Sequence, residues 1–240
     1  MKTYKIHLLR HGLTDNTEGK YIGHTDVSLS EEGIEQIEQM KRDYIYPYAE
    51  VVFSSPLSRC KDTAKLIYPD AKMLVIDDLI EYNFGEFEGR NADELHEKEP
   101  LFDRWLRGEE DIAPPFGESN SDFAKRVCTA FASIAEGIMK AGYEETAIVT
   151  HGGVIMTIMA AFALPEASMH EWMTPSGCGY TLRLDPFIWM NGQKMEAFQE
   201  IPVEPINDEN YYDGWDYYLS PEEADKDFDV SEYLNEEDFG

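Results

Sequence analysis

The sequence predicts an α/β fold in three layers, a mainly parallel sheet with helices on both faces. Three observations predict it. Short apolar runs recur at residues 4–10, 51–53, 73–76 and 146–150, each in the length range of a buried strand. Between them lie stretches whose apolar residues fall at helical spacing. Strands that alternate with helices pair in parallel, because each helix carries the chain back to the same end of the sheet.

Taken in order, residues 4–10 form the first strand, which ends on Arg10-His11-Gly12. A polar, glycine-bearing loop follows to residue 29. Ser30 is placed as a helix N-cap with Glu31 and Glu32 in the first turn, where the helix dipole favours acids. Ile34, Ile37 and Met40 make that helix's apolar stripe, and Pro47 closes it. Val51-Val52-Phe53 is the second strand. Pro56 then opens a helix that carries Arg59 and runs to about Ile67.

Residues 73–76 are the third strand, and 79–89, aromatic and acidic with two glycines, read as a shaped loop. Residues 91–107 have helical character, and Ala113-Pro114-Pro115-Phe116-Gly117 breaks the chain. A long helix covers Ser121 to about Ala141 with Phe123, Val127, Phe131, Ile134 and Ile138 on one face. The fourth strand, 146–150, leads through Gly152-Gly153 into an apolar helix to Leu164, and strands at 179–184 and 194–199 close the domain.

Composition narrows the function classes. A chain of 240 residues with 42% hydrophobic residues can build one large core. Its formal net charge of −28 argues against nucleic acid or an anionic membrane as partner, since both need basic surface. No signal-like leader opens the sequence, and the apolar run 154–164 is too short to span a bilayer. Cys60, Cys128 and Cys178 lack paired spacing and read as reduced thiols of a cytoplasmic protein, without a zinc site. Residues 1–200 are assigned to the α/β domain and 201–240 to an acidic extension. That extension has 14 acidic residues against one lysine, yet is rich in tyrosine, tryptophan and phenylalanine, which favours docking onto the domain or a partner over disorder. Nothing in the sequence speaks to oligomeric state.

Polar groups stand just after the strands. His11 follows the first, Arg59 the second, Glu81 the third and His151 the fourth. Open α/β sheets bind ligands at the carboxyl ends of their strands, so these four are expected to share one rim. An imidazole can attack phosphorus, guanidinium groups pair phosphate oxygens, and a carboxylic acid can protonate a departing oxygen. Each residue also has a plainer reading. Arg10-His11-Gly12 alone would suit a turn, and Glu81 competes with Glu86 and Glu88 for the acid's role. His7 lies on the same side of the first strand as His11, where a metal pair or a hydrogen-bonded sheet residue would fit. His24 would fit the pocket or the surface, and His96 and His170 lack partner spacing. Phe84, Trp105 and Phe116 are candidates for shaping a leaving-group pocket.

Leu9-Arg10-His11-Gly12-x-Thr14 resembles the signature of the histidine phosphatase superfamily, the clan that includes cofactor-dependent phosphoglycerate mutases. Ser54-Ser55-Pro56-Leu57-Ser58-Arg59 with Thr63-Ala64, the Glu81 loop, and Val149-Thr150-His151-Gly152-Gly153 match its further motifs, in its order, over roughly residues 4–185. The resemblance implies a phosphoglycerate mutase-like fold and an acid-type histidine phosphatase. It implies His11 as a nucleophile forming phosphohistidine, with Arg10, Arg59 and His151 clamping the phosphoryl group and Glu81 as general acid and then base. It implies no metal and no cofactor. Gly12 and Gly23 would let the backbone approach the ligand, and Thr14 would offer a hydroxyl.

The sequence also departs from the family's pattern. Leu13 replaces a frequent glutamate. Thr17 stands where many members have asparagine, with Asn16 one position early, so which of Thr14, Asn16 and Thr17 meets phosphate stays open. Tyr82-Asn83-Phe84-Gly85 follows the acid where mutases typically carry a basic residue. That favours a phosphatase acting on a small phosphorylated metabolite. The alternatives are a phosphoglycerate-type phosphomutase and a non-catalytic phosphate-binding or scaffold protein.

Overall fold

The computed structural model describes residues 2–15, 19–109 and 112–205. Its sheet has seven strands: β1 Tyr4–Arg10, β2 Val51–Ser54, β3 Lys72–Val75, β4 Glu145–Thr150, β5 Ala163–Leu164, β6 Gly179–Leu184 and β7 Met195–Ile201. They lie in the order β3-β2-β4-β1-β6-β7-β5. The strands β1 to β4 run parallel, and β6 runs antiparallel to both β1 and β7. The expected mainly parallel sheet is therefore present.

Helices α1 Glu31–Asp43, α2 Ser58–Ile67, α3 Ala92–Lys98, α4 Phe102–Leu106, α5 Asn120–Ala141, α6 Gly152–Phe162 and α7 Pro186–Gly192 complete the domain. The side chains of β1 alternate between faces, as strand geometry requires. Ile6 and Leu8 enter the core that holds Phe131 and Ile138 of α5 and Ile155 of α6. Leu9 enters the other core, with Ile37 of α1 and Ala64 of α2. Two cores on two faces make the three layers.

Caps set the helix ends. The Ser30 hydroxyl accepts the Gly33 amide at 2.9 Å, and Ser119 accepts the Asp122 amide at 3.1 Å. Gly142 ends α5 in the left-handed conformation with φ 81°, a geometry suited to glycine.

The structure differs from the sequence reading in several places. Ile34 is exposed, so the buried face of α1 is Gly33 and Ile37. That helix ends at Asp43, well before Pro47. The helix expected over 91–107 is two, because Pro100 disfavours helical backbone at Glu99 and cannot donate an amide. Helix α6 stops at Phe162, and Ala163–Leu164 pairs with β7 instead. Helix α7 was unforeseen, although Asp185 caps it and Pro186 opens it. The strand β3 is an exposed edge, not a buried strand.

The domain boundary placed at residue 200 falls one residue short of the end of β7, and Val203 still pairs with Ile45. The first structural unit spans residues 1–204. The expectation made for the acidic extension concerns residues that, from 206 onward, lie outside the described ones, as do Asn16 and Thr17. Among the described residues no helix is long and apolar enough to cross a membrane.

Candidate active site

Strand register brings the two histidine motifs together. Leu9 pairs with Val149 and Arg10 with Thr150 across parallel β1 and β4. The next residue on each strand is a histidine, and the amide of His11 donates to the Thr150 carbonyl at 2.9 Å. The two imidazole rings sit 5.2 Å apart, edge to face. Ser54 of β2 pairs with Val149, so Ser55 arrives at the same level. Three strands thus end together at one rim.

Behind the rim opens a cleft of about 1040 Å³, lined by Arg10, His11, Arg59 and Glu81. Tyr21, Ile22, Phe84, Met156 and Met173 form its apolar walls, and Thr14, Asp15, Lys20, Glu31 and Glu32 are among its polar lining. Of the residues predicted for the site, Gly12, Gly23 and His151 stand behind this lining.

His11 is held in one tautomer. Its Nδ1 lies 2.7 Å from the Gly12 carbonyl, which can only accept, so Nδ1 carries the proton and Nε2 keeps its lone pair. Desolvation at the cleft floor, followed by the Arg59 charge, lowers the His11 pKa to about 3. The ring is therefore neutral at physiological pH, as a nucleophile must be.

Arg59 is nearly inaccessible and its guanidinium is tethered on three sides. It donates to the Gly23 carbonyl at 2.7 Å, the Thr25 carbonyl at 2.9 Å and His151 Nδ1 at 3.3 Å. Arginine only donates, so His151 Nδ1 is the acceptor and its Nε2 holds the proton, 2.7 Å from Ser55 Oγ. Burial, then the neighbouring His11 and Arg59, keep His151 well below its ordinary pKa. Both ring nitrogens of His151 are engaged by the protein, so any influence it has on a ligand in the cleft would run through Arg59.

Arg10 is freer. One guanidinium nitrogen donates to the Thr174 carbonyl at 2.8 Å, while its buried Nε has no partner among the described residues. A buried unpaired N–H is costly, and an anion in the cleft would satisfy it.

Glu81 reaches the site along a 3-10 turn, Asp77–Leu79, anchored by Thr150 Oγ1 donating to the Leu79 carbonyl at 2.7 Å. It does not follow a buried strand, since β3 lies on the exposed edge six residues earlier. Its carboxylate accepts the Tyr82 amide at 2.9 Å and the Gly153 amide at 3.0 Å. Burial raises its pKa, and those two amides offset only part of the shift. A carboxyl group held towards its protonated form suits an acid that donates to a leaving group.

Two glycines are required by close approach. A Cβ on Gly153 would lie 2.5 Å from Glu81 Oε1, and one on Gly23 would overlap the Tyr82 carbonyl. At Gly23 the neighbour that demands glycine is thus protein, the Tyr82 carbonyl. Gly12 likewise packs on Ile37, with its amide donated to Thr63 Oγ1 at 2.9 Å.

The rival carboxylates have other work. Glu88 accepts the amides of Gly23 and Thr25, fixing the loop that tethers Arg59, and Glu86 is exposed. His7 donates or accepts at Thr181 Oγ1, 3.0 Å away, as a buried sheet residue. His24 Nε2 lies 3.0 Å from the Glu81 carbonyl. Phe84 lines the cleft, whereas Trp105 is buried against Tyr82 and Phe116 is exposed. Ser55, Thr174 and Met173 were missed. The Ser55 motif was in view, but only the register of β2 and β4 reveals its partner.

Comparison with known proteins places the chain among relatives of one family. The adenosylcobalamin/α-ribazole phosphatase of Escherichia coli K12 is 29% identical over 179 residues, covering 72% of this chain and 87% of the relative. A 2,3-bisphosphoglycerate-dependent phosphoglycerate mutase 2 from Gloeobacter violaceus is 33% identical over 161 residues, covering 63% and 72%. The crystal structure of the α-ribazole phosphatase from Shigella flexneri superposes with a TM-score of 0.68 at 24% identity, covering 85% of this chain and 99% of the other, and shows the shared phosphoglycerate mutase-like fold. The family model of the histidine phosphatase superfamily, branch 1, matches residues 6–189. The chain belongs to the histidine phosphatase superfamily.

Proposed function

We propose that the protein is a phosphatase that hydrolyses a small phosphorylated metabolite through a phosphohistidine on His11. The observation that carries this reading is the Nδ1 hydrogen bond of His11 to the Gly12 carbonyl, which leaves Nε2 bare in a cleft lined by Arg10 and Arg59. In the first step Nε2 bonds to phosphorus while the ester P–O bond breaks. The departing oxygen keeps the electron pair and takes a proton from the Glu81 carboxyl. In the second step the Glu81 carboxylate takes a proton from water, whose oxygen attacks phosphorus. The P–N bond breaks, phosphate leaves, and His11 returns to its neutral form.

Arg10 and Arg59 neutralise the equatorial oxygens in both steps. His151, tied to Ser55, holds the Arg59 fork in its plane. These protein groups supply the nucleophile, charge stabilisation and acid, so the proposed route needs no metal or cofactor. The −28 charge fits a small-molecule substrate in preference to nucleic acid or membrane, and cysteines free of disulfides suit a reducing, cytoplasmic setting.

Relatives of this chain include both phosphatases and a mutase. Tyr82 favours hydrolysis, since it is buried and its hydroxyl donates to the Glu118 carbonyl at 2.6 Å, so no cation stands directly after the acid. The test is a metabolite screen that includes α-ribazole phosphate and 3-phosphoglycerate, run with EDTA, a bisphosphate-primed mutase assay and rapid acid-free quenching. Phosphate release with an acid-labile phosphoprotein, lost together in His11→Ala, is the expected result. Turnover unchanged in that variant would exclude His11 as nucleophile, and phosphate transfer to a second acceptor without net release would assign a mutase.

A further inference from the structure

Among the described residues, the loop that carries Glu81 has no sheet partner of its own. Beyond Thr150 at the Leu79 carbonyl and His24 at the Glu81 carbonyl, a pair of side chains from α5 and the segment that leads into it fixes this loop. Arg126, on the second turn of α5, directs its guanidinium at the loop backbone. One terminal nitrogen donates to the Asp78 carbonyl at 2.8 Å and the Ile80 carbonyl at 2.9 Å. The other donates to the Glu81 carbonyl at 3.3 Å and to Glu118 Oε1 at 2.7 Å. The remaining N–H, on Nε, donates to Glu118 Oε2 at 3.3 Å. An arginine has five N–H donors, and here each has an acceptor.

Glu118 completes the grip from the other end. Its Oε1 also accepts the Asn83 amide at 2.8 Å, and its own amide donates to the Asn83 carbonyl at 3.1 Å. The loop is therefore held at residues 78, 80 and 81 by Arg126 and at 83 by Glu118. Phe123, one turn earlier on α5, stacks under the guanidinium, with Cζ 5.2 Å from the ring centre. Side-chain exposure of 19% for Arg126 and 17% for Glu118 shows that water reaches neither group freely.

A surface salt bridge contributes little, but this pair does not meet merely as two charges. Its geometry converges on the backbone on either side of one carboxyl group. We infer that Arg126 and Glu118 are positioning residues for Glu81, holding the general acid where it can reach the leaving-group oxygen. This rests on the proposed role of Glu81. Lysine could not replace the arginine, because a single ammonium has no planar fork with which to span these acceptors.

The role makes a prediction that a purely structural one does not. General-acid help matters for a poor leaving group and little for a good one. The ratio kcat/KM covers only the steps through phosphohistidine formation, where the acid acts. The experiment measures kcat/KM for p-nitrophenyl phosphate and glycerol 2-phosphate in the full chain and in Glu81→Gln, Arg126→Ala, Arg126→Lys and Glu118→Gln, with thermal melts alongside.

Glu81→Gln should lose roughly 100-fold or more with glycerol 2-phosphate and far less with p-nitrophenyl phosphate. Arg126→Ala should show the same selectivity at about 10- to 100-fold, Arg126→Lys should resemble it, and Glu118→Gln should follow more weakly. Equal losses on both substrates in the Arg126 and Glu118 variants, or none, would overturn the inference while leaving the role of Glu81 intact. Absence of selectivity in Glu81→Gln would overturn both. Should Arg126→Ala fail to fold, Arg126→Lys and Glu118→Gln decide the question by the same comparison of substrates.

Discussion

The two halves of the cleft are built by different physics. The half with His11, His151 and Ser55 is positioned by strand register, so each side chain stands one residue beyond a backbone ladder. The half with Glu81 is positioned by side chains acting on a loop: Thr150 at Leu79, Arg126 at three carbonyls, and Glu118 at Asn83. A backbone ladder fixes His11 through many shared bonds. Side-chain clamps fix Glu81 through a few replaceable ones. In the proposed mechanism the attacking group would thus be the more rigidly placed, and the proton donor the part that single substitutions can move.

The sharpest way to break this contrast is at the point where the halves meet. Gly153→Ala would place a methyl group 2.5 Å from Glu81 Oε1 and push the carboxyl from its two amides. On a helix the change to alanine is otherwise favourable. The expected outcome is a loss of about 100-fold in kcat/KM for an alkyl phosphate, with folded stability changed little. Steady-state kinetics and a melt measure both.

Ser55→Ala probes the register-built half. It leaves the His151 Nε2 proton, in a fully buried site, with only the weakly accepting Cys60 Sγ at 3.4 Å, so a loss of about 1–3 kcal/mol is expected from the shift in urea midpoint. Because the pair also orients Arg59, kcat/KM should fall for good and poor leaving groups alike. A selective loss with the poor leaving group would mean that the two halves are mechanically coupled.

Acid separates them by sign. His11 and His7 have pKa values lowered to about 3 and about 4, chiefly by burial, against 6.5 when unfolded. The unfolded chain then binds more protons, and stability drains as pH falls from about 6.5 towards those values. Glu81 has a raised pKa, so its ionised form costs stability above its folded pKa, and the cost is relieved as pH falls through that value. Urea midpoints between pH 7 and 4 should drop less steeply in His11→Asn. They should rise at pH 7 in Glu81→Gln, with that gain shrinking in acid. The reverse pattern would contradict both assignments.

The smallest expected effect is ionic. A net charge of −28 repels an anionic substrate at long range, and the cleft arginines counter it only locally. Raising a weakly binding salt from about 20 to about 150 mM should increase kcat/KM by a few-fold, acting on encounter and not on either half of the chemistry. A salt-independent kcat/KM would mean that the cleft is already screened from the rest of the surface.

Much of the register-built half was legible in the sequence. An apolar run ending in Arg10-His11-Gly12 and another ending in His151-Gly152-Gly153 announce both strand and site, because strand ends are local features. The loop half was legible only in part: Glu81 was expected at the rim as the group after a buried third strand, a strand that is in fact an exposed edge, and its role as acid came from the resemblance. Nothing local marks Arg126, which sits between Phe123 and Val127 on a helix read for its apolar face. Beside Glu118, its partners on the loop are 45 to 48 residues away and are backbone carbonyls, which have no sequence signature. Met173 and Thr174 escaped for the same reason. The split of the 91–107 helix was readable at Pro100, and the Asp185-Pro186 start of α7 was readable as well. The exposure of β3 was not, since Met73-Leu74-Val75 is as apolar as a central strand and only sheet order makes it an edge.

One consequence follows from His11 standing a single residue past the ladder of β1. A slip of that strand by one residue would turn His11 to the opposite face of the sheet and bring Arg10 or Gly12 to the reacting position. The slipped strand would still present Ile6, Leu8 and Leu9 to one core or the other, at the cost of turning Lys5 and His7 towards the core that Ile6 and Leu8 now fill. Catalysis in this protein is therefore a gauge of folding accuracy at the central strand. Specific activity per molecule of compact protein would report mispaired chains that circular dichroism counts as native.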